Sequence, residues 1–284
     1  MSIKPKVAFV TGVNGISGNA IVEHLIRTPK TDWSKIIITS RRPLKNYWQD
    51  PRVQFIALDF LEPVETIISK IRVNVPLFEN FLTAIDQVAR DKLQRVCLQT
   101  GGKRTFCSHC SSNRNWSYNI IRPNAIIGFT PGNNGISEAL TLALYFLICC
   151  ETGEFPRFPG NQYFYNCVDD NSYAPTNEAF NHANGDTFVW RYFFPRIGAY
   201  FGLEVPETTN FTTAATSSGV GTHRENQFKM SEWAAEKRPV WESICAKYGG
   251  NPEAFDWGTW AFFDWGIGKA WPTLSSISKA RRFG

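Results

Sequence analysis

Along the first half of the chain, short apolar-rich stretches alternate with stretches whose apolar residues recur at helical spacing. Val7-Ala8-Phe9-Val10 is the first run and Asn19 to Ile26 the first helical stretch. Lys35 to Thr39 follows as a continuous run, and Val53 to Leu58, Arg95 to Thr100 and Trp116 to Pro123 read as further strands. A strand that is apolar throughout, rather than at every second position, is buried on both faces, as in a parallel sheet covered by helices. The succession of strand, helix and strand predicts an α/β chain built on a Rossmann-like, doubly wound parallel sheet.

One interval breaks the rhythm. Pro63 to Arg72 and Leu77 to Arg90 both read as helices, the second with Phe78, Phe81, Leu82, Ile85 and Val88 on one face, and no strand separates them. In a doubly wound sheet the intervening strand lies beside the first one, at the switch point where ligands bind. Without it a central strand loses a neighbour for its backbone groups. Further on, Ile136 to Cys150 predicts a buried helix. Asn177 to Asn181 reads as a strand exit, and Asn184-Gly185-Asp186 as a turn into a helix beginning near Phe188. Aromatic residues crowd the second half, from Phe155 and Phe158 through Trp190 to Trp271. Such density predicts a smaller substrate cap with an apolar cleft, the other reading being that each ring is simply core. The expected division is a nucleotide-binding domain over 1–150 and a cap over 151–284, partly interleaved with it.

Between the first run and the first helix lies Thr11-Gly12-Val13-Asn14-Gly15-Ile16-Ser17-Gly18. Gly12 permits a tight bend, Gly15 lets the backbone approach a pyrophosphate, and Gly18 lets the helix pack closely on the strand. The N–H groups of the helix start favour an anion. Glycine turns also recur for structural reasons alone, and it is the strand before and the helix after that point to a dinucleotide. Thr11, Gly12, Asn14, Gly15, Ile16 and Gly18 are therefore candidate cofactor residues. The second strand ends in Ser40-Arg41-Arg42, where an NAD site would carry a carboxylate. Two guanidinium groups suit the 2′-phosphate of NADP(H) instead, the alternative being a solvated pair. Asp59 is a candidate for the adenine amino group or for a helix cap. Thr100, Gly101 and Lys103 stand at a strand end that faces the cofactor. Pro123 opens a loop, including Ile126, whose backbone can meet a nicotinamide carboxamide.

Composition narrows this picture without redirecting it. The 284 residues, 43% of them hydrophobic, suffice for one α/β domain and a smaller cap. The net charge of +5 is spread along the chain, with Arg41-Arg42 and Lys279 to Arg282 as its clusters, which argues against a nucleic-acid partner. No apolar run reaches the ~18 residues of a membrane span. The start of the chain lacks the features of a signal peptide. Seven cysteines, an odd number without a framework, suit a reducing compartment, so the expectation is a soluble cytoplasmic protein. Cys107-Ser108-His109-Cys110 has no second ligand pair at zinc spacing, so no metal is expected.

Several blocks together carry a family resemblance: the glycine turn, Ser40-Arg41-Arg42, Val75-Pro76-Leu77-Phe78-Glu79-Asn80, Gln99-Thr100-Gly101-Gly102-Lys103, Arg122-Pro123 with Ile127-Gly128-Phe129, Phe158-Pro159-Gly160, and Asn177 to Asn181 with Asn184-Gly185-Asp186. Over nearly its whole length the chain resembles the progesterone 5β-reductase and iridoid synthase-like group of atypical short-chain dehydrogenases, in a fungal version. The resemblance implies an extended short-chain dehydrogenase fold. It also implies NADPH-dependent reduction of the C=C bond of an α,β-unsaturated carbonyl compound, in secondary metabolism. In the group a lysine after T-G-G and a later tyrosine support the carbonyl oxygen, and Lys103 matches the lysine. The tyrosine has no match, because its segment is reduced here to Arg104 to Asn115. The strand expected before Val73 is missing, and the helical stretch expected between Ser172 and Asn177 is reduced to Tyr173-Ala174-Pro175-Thr176. Tyr118 is the nearby hydroxyl that could substitute, its other reading being a packed strand residue. The resemblance leaves three functions open: an enone or enal reductase, an NADP-binding relative without redox activity, and a non-redox cyclase or isomerase. The expected partner is a small hydrophobic carbonyl substrate, with a homodimer open.

Overall fold

The computed structural model describes residues 6–40, 48–57, 92–99, 116–123, 126, 128, 132, 134, 136–170, 179–182, 187–211, 215–217, 222–271, 274, 278 and 282. By its internal contacts the chain divides into two units, Met1–Ile121 with Pro175–Ala179, and Arg122–Ala174 with Phe180–Gly284. The helices expected over 63–72 and 77–90 lie outside the described residues.

In the first unit the apolar runs form strands where they are expected. β1 (Lys6–Thr11), β2 (Trp33–Ser40) and β3 (Val53–Ala57) make a parallel sheet of order β1-β2-β3. Its register sets Val7 beside Lys35, Val10 beside Ile38, and Ile38 beside Phe55. α1 (Ile16–Arg27) returns from β1 to β2 and buries Ile16, Val22 and Leu25. Val22 and Leu25 close a core with Ala8, Val10, Val13, Ile36, Ile38 and Trp48. β4 (Arg95–Gln99) and β5 (Ser117–Pro123) pair in parallel, Gln99 opposite Ile121, in a second sheet of order β4-β5-β7, where β7 is Ala179–His182. Among the described residues, β1 and β4 are not hydrogen-bonded neighbours. Val7 on β1 is 56% exposed, an unusual state for a strand that should be central.

The far end of α1 is held by one side chain. Arg52, buried, donates to Ile26 O at 2.6 Å, Thr28 O at 3.1 Å and Trp33 O at 3.4 Å. These include carbonyls that the helix end leaves without an intrahelical donor. Asp50 grips the same guanidinium from the other side, at 2.8 Å and 3.0 Å. Trp48 Nε1 donates to Glu23 Oε1 at 2.6 Å, so the segment before β3 is tied to α1 twice.

The second unit is organised on α2 (Glu138–Thr152), whose sequence is apolar almost all the way round and which ends at Gly153 with φ +71°. Tyr145, Phe146 and Cys149 face a cluster with Phe158, Phe164, Trp190, Phe194 and Phe263. Leu144 and Ile148 face another, with Trp241, Ile244 and Phe255. The rings meet at tilted and edge-on angles, such as Phe158 and Phe194 at 5.4 Å and 86°, the geometry that aromatic quadrupoles favour. α3 (Gln162–Asn166), α4 (Trp190–Tyr200), α5 (Met230–Ala234), α6 (Arg238–Tyr248) and α7 (Trp260–Ile267) complete the unit. The short α5 is started by Asp264 of α7, whose carboxylate accepts from Met230 N at 2.6 Å and Ser231 N at 3.1 Å.

One boundary differs from expectation. The helix anticipated near Phe188 begins at Trp190, because Thr187–Val189 forms a strand, β8, antiparallel to β6 (Val168–Asp170). Thr, Phe and Val are strand formers, and a partner strand outweighs the helical pattern that follows.

Candidate dinucleotide site

The turn between β1 and α1 is a cradle closed to side chains. Gly12 has φ +64°, the left-handed region that glycine enters without strain, and its carbonyl accepts from Gly15 N at 2.9 Å. At Gly18 a Cβ would lie 2.3 Å from the Gly12 carbonyl oxygen and 2.8 Å from Val13 Cα, so the first helical turn sits directly on the bend. At Gly15 a Cβ would lie 3.3 Å from the same oxygen. Val13 N donates to Thr39 O at 3.4 Å, which sets the turn against the carboxyl end of β2. α1 has no side-chain cap at Gly15 and no acidic residue in its first turn. Its leading N–H groups and the aligned peptide dipoles behind them remain available to an anion.

The candidate residues divide by what the structure describes. Thr11, Gly12 and Asn14 are exposed on the turn, Gly15 is half-buried, and Ile16 and Gly18 are buried beneath it. Ser40 closes β2 and is buried. Pro123 ends β5, and Ile126 beyond it is half-buried. Arg41, Arg42, Asp59, Thr100, Gly101 and Lys103 lie outside the described residues. Tyr118 is half-buried near the amino end of β5, opposite Val96. That is three residues, roughly 10 Å, from the level where Ile121 faces Gln99. The strand therefore carries Tyr118 away from the carboxyl ends where the cradle sits.

Three residues of this neighbourhood escaped the sequence reading. Gln99, the last residue of β4, donates through Nε2 to Ser17 Oγ in the cradle at 2.9 Å. Thr39 is fully buried at the end of β2, and its Oγ1 has no hydrogen-bond partner. Ser17 and Thr39 sit inside motifs that were read for their backbone, and nothing in the sequence pairs Ser17 with a residue so far along the chain. A dinucleotide phosphate fits this arrangement: the glycines leave room for it, the helix start offers donors, and the first turn of α1 carries no carboxylate. Among the described residues no group of histidine, cysteine and acidic side chains is placed to hold a metal ion. No described helix is long and apolar enough to cross a membrane.

No family model matches the chain. It is similar to a short chain dehydrogenase, gsfE, of Penicillium aethiopicum, with 36% identity over 354 positions, covering 99% of this chain and 93% of that protein. It is similar also to the (S)-8-oxocitronellyl enol synthase ISY1 of Nepeta cataria, at 26% identity, covering 98% of this chain and 87% of that one. The alignment with the Penicillium protein spans 354 positions against 284 residues here, so at least 70 (354 less 284) hold no residue of this chain. Among solved structures, the Bordetella bronchiseptica enzyme WbmF in complex with NAD+ matches with a TM-score of 0.50 and 11% identity, over 87% of this chain and 98% of that one. That likeness is one of fold.

Proposed function

This chain belongs to the progesterone 5β-reductase and iridoid synthase-like group of atypical short-chain dehydrogenases, and we propose that it reduces the C=C bond of a small, hydrophobic α,β-unsaturated carbonyl compound with NADPH. The observation that carries the cofactor half is the cradle at Gly12, Gly15 and Gly18 before an uncapped helix. NADPH supplies a hydride to the substrate's β-carbon. Arg41 and Arg42, directly after β2, are the groups for the 2′-phosphate. Thr100, Gly101, Pro123 and Ile126 belong to the segments after β4 and at the end of β5 that meet the nicotinamide end. Lys103, four residues beyond β4, is the donor for the carbonyl oxygen as negative charge gathers there. Donors held in place for a developing charge are often the largest single contribution to catalysis. The reaction class is supported by the name of the Nepeta relative, an enol synthase. Hydride addition at the β-carbon of an unsaturated carbonyl leaves an enolate, and its protonation on oxygen gives an enol.

A second reading has its own observation. Tyr118 sits toward the wrong end of β5 for the cradle, and only Arg104 to Asn115 separates Lys103 from Trp116. A chain without the second hydroxyl donor would bind NADPH and turn over slowly or not at all. NADPH oxidation with a panel of enals and cyclic enones, beside NADPH binding by fluorescence, separates the two. Turnover is expected; binding without turnover leaves only the second reading, and no binding removes both. Arg41→Ala is expected to weaken NADPH roughly tenfold or more while leaving NADH within about twofold. Equal losses for the two cofactors would refute the 2′-phosphate assignment.

A further inference from the structure

We infer that Gln99 is a positioning residue of the cofactor site, holding the first turn of α1 against the carboxyl end of β4 through Ser17. The inference rests on the dinucleotide reading above. The glycine cradle is carried by the sheet β1-β2-β3, whereas the strand that continues into Thr100-Gly101-Gly102-Lys103 belongs to the sheet β4-β5-β7. Among the described residues no ladder joins β1 to β4, and a side-chain bond spans from one part of the site to the other. Gln99 Nε2 donates to Ser17 Oγ at 2.9 Å, across 82 residues of sequence.

The place of this bond decides what it does. Gln99 is exposed and Ser17 half-buried, so in the free protein water competes for both groups and the bond adds little to folding. Ser17 is the second residue of α1, in the turn whose N–H groups lack intrahelical partners. A dinucleotide lying from that turn toward the ends of β4 and β5 covers the bond and excludes water from it. In the lower dielectric it strengthens. A bond that is weak when open and strong when covered contributes to cofactor affinity and not to the stability of the empty protein.

The test uses the full chain, titrated with NADPH by fluorescence, and its thermal unfolding without cofactor. Ser17→Ala and Gln99→Leu are each expected to weaken binding about fivefold, the worth of one modest hydrogen bond. The double variant should be no weaker than either single one, because one interaction is lost in all three. Ser17→Thr, which keeps the hydroxyl, should stay within about twofold of the parent, and every variant should melt within about 1 °C of it. Unchanged affinity, additive losses, or a loss in Ser17→Thr equal to that in Ser17→Ala overturns the inference. So does a fall in melting temperature that accounts for the weaker binding. Should Gln99→Leu fail to fold, the Ser17→Ala and Ser17→Thr pair decides alone. A parent protein that binds neither NADPH nor NADH overturns the dinucleotide reading itself, and the inference with it.

Discussion

At Gly18 a single methyl group would press on the Gly12 carbonyl oxygen at 2.3 Å and on Val13 Cα at 2.8 Å, and both are backbone atoms that cannot swing aside. Gly18→Ala is therefore expected to lift α1 off the turn. Overpacking of this kind costs about 1–3 kcal/mol. Denaturant unfolding should register that loss, and NADPH binding should fall below detection, whereas an unshifted midpoint would show that the turn has slack. Gly12 is under a different constraint, since a Cβ there meets nothing and only φ +64° excludes other residues. At this scale the sequence was legible where a residue acts through its own backbone. Gly12 and Gly18 announce themselves by spacing. Gln99 and Thr39 do not, because their roles come from neighbours the chain brings up from elsewhere.

Among the elements, α1 shows how much of a helix is decided outside it. Its apolar face and its starting glycine are readable in place, yet its far end depends on Arg52, and Arg52 on Asp50. The guanidinium beside Asp50 holds that carboxyl well below the usual carboxylate range, at about 2. A folded pKa lower than the unfolded one means a contribution fully present above the unfolded value of 3.8 and lost as pH falls from there toward about 2. Asp50→Asn should accordingly lower the unfolding midpoint at pH 7 and change it little near pH 2. Equal effects at both pH values would show that the pair's charge is irrelevant. β1, β2, β3, β4 and β5 were all recognisable as strands; β2 carries the continuous apolar run Ile36-Ile37-Ile38 with Ile36 and Ile38 buried, whereas β3 and β4 mix apolar and polar residues and leave most of their positions exposed or half-buried. β8 was not, because three residues carry too little pattern, and only their pairing with β6 makes them a strand.

For the whole molecule, β1-β2-β3 and β4-β5-β7 are separate sheets among the described residues, and at least 70 positions of the alignment with the Penicillium relative hold no residue of this chain, 354 against 284. The sequence pattern expects one shortfall between the two helical stretches before β4, where the strand rhythm fails. Replacing Arg104 to Asn115 with a longer segment that carries the tyrosine the family resemblance implies tests whether a shortfall there limits catalysis. Enal reduction is expected to rise by roughly 100-fold or more, the usual worth of a positioned acid, with NADPH affinity changed by no more than about twofold. Unchanged turnover in a chimera that binds NADPH would mean that the donor comes from elsewhere.

α2 has a consequence for how the second unit comes apart. From Glu138 to Cys149 none of its residues is exposed, and the aromatic cluster and the Trp241 cluster both close upon it. Such a helix cannot be peeled from one neighbour while staying on the other without baring a long greasy stripe to water. Partial opening is therefore shut off as a route, and loss of either cluster takes the other with it. The same stripe, once bared on a ribosome-fresh or heated chain, is the surface through which copies would stick to one another, so the rod that makes this unit cooperative also makes its failure irreversible.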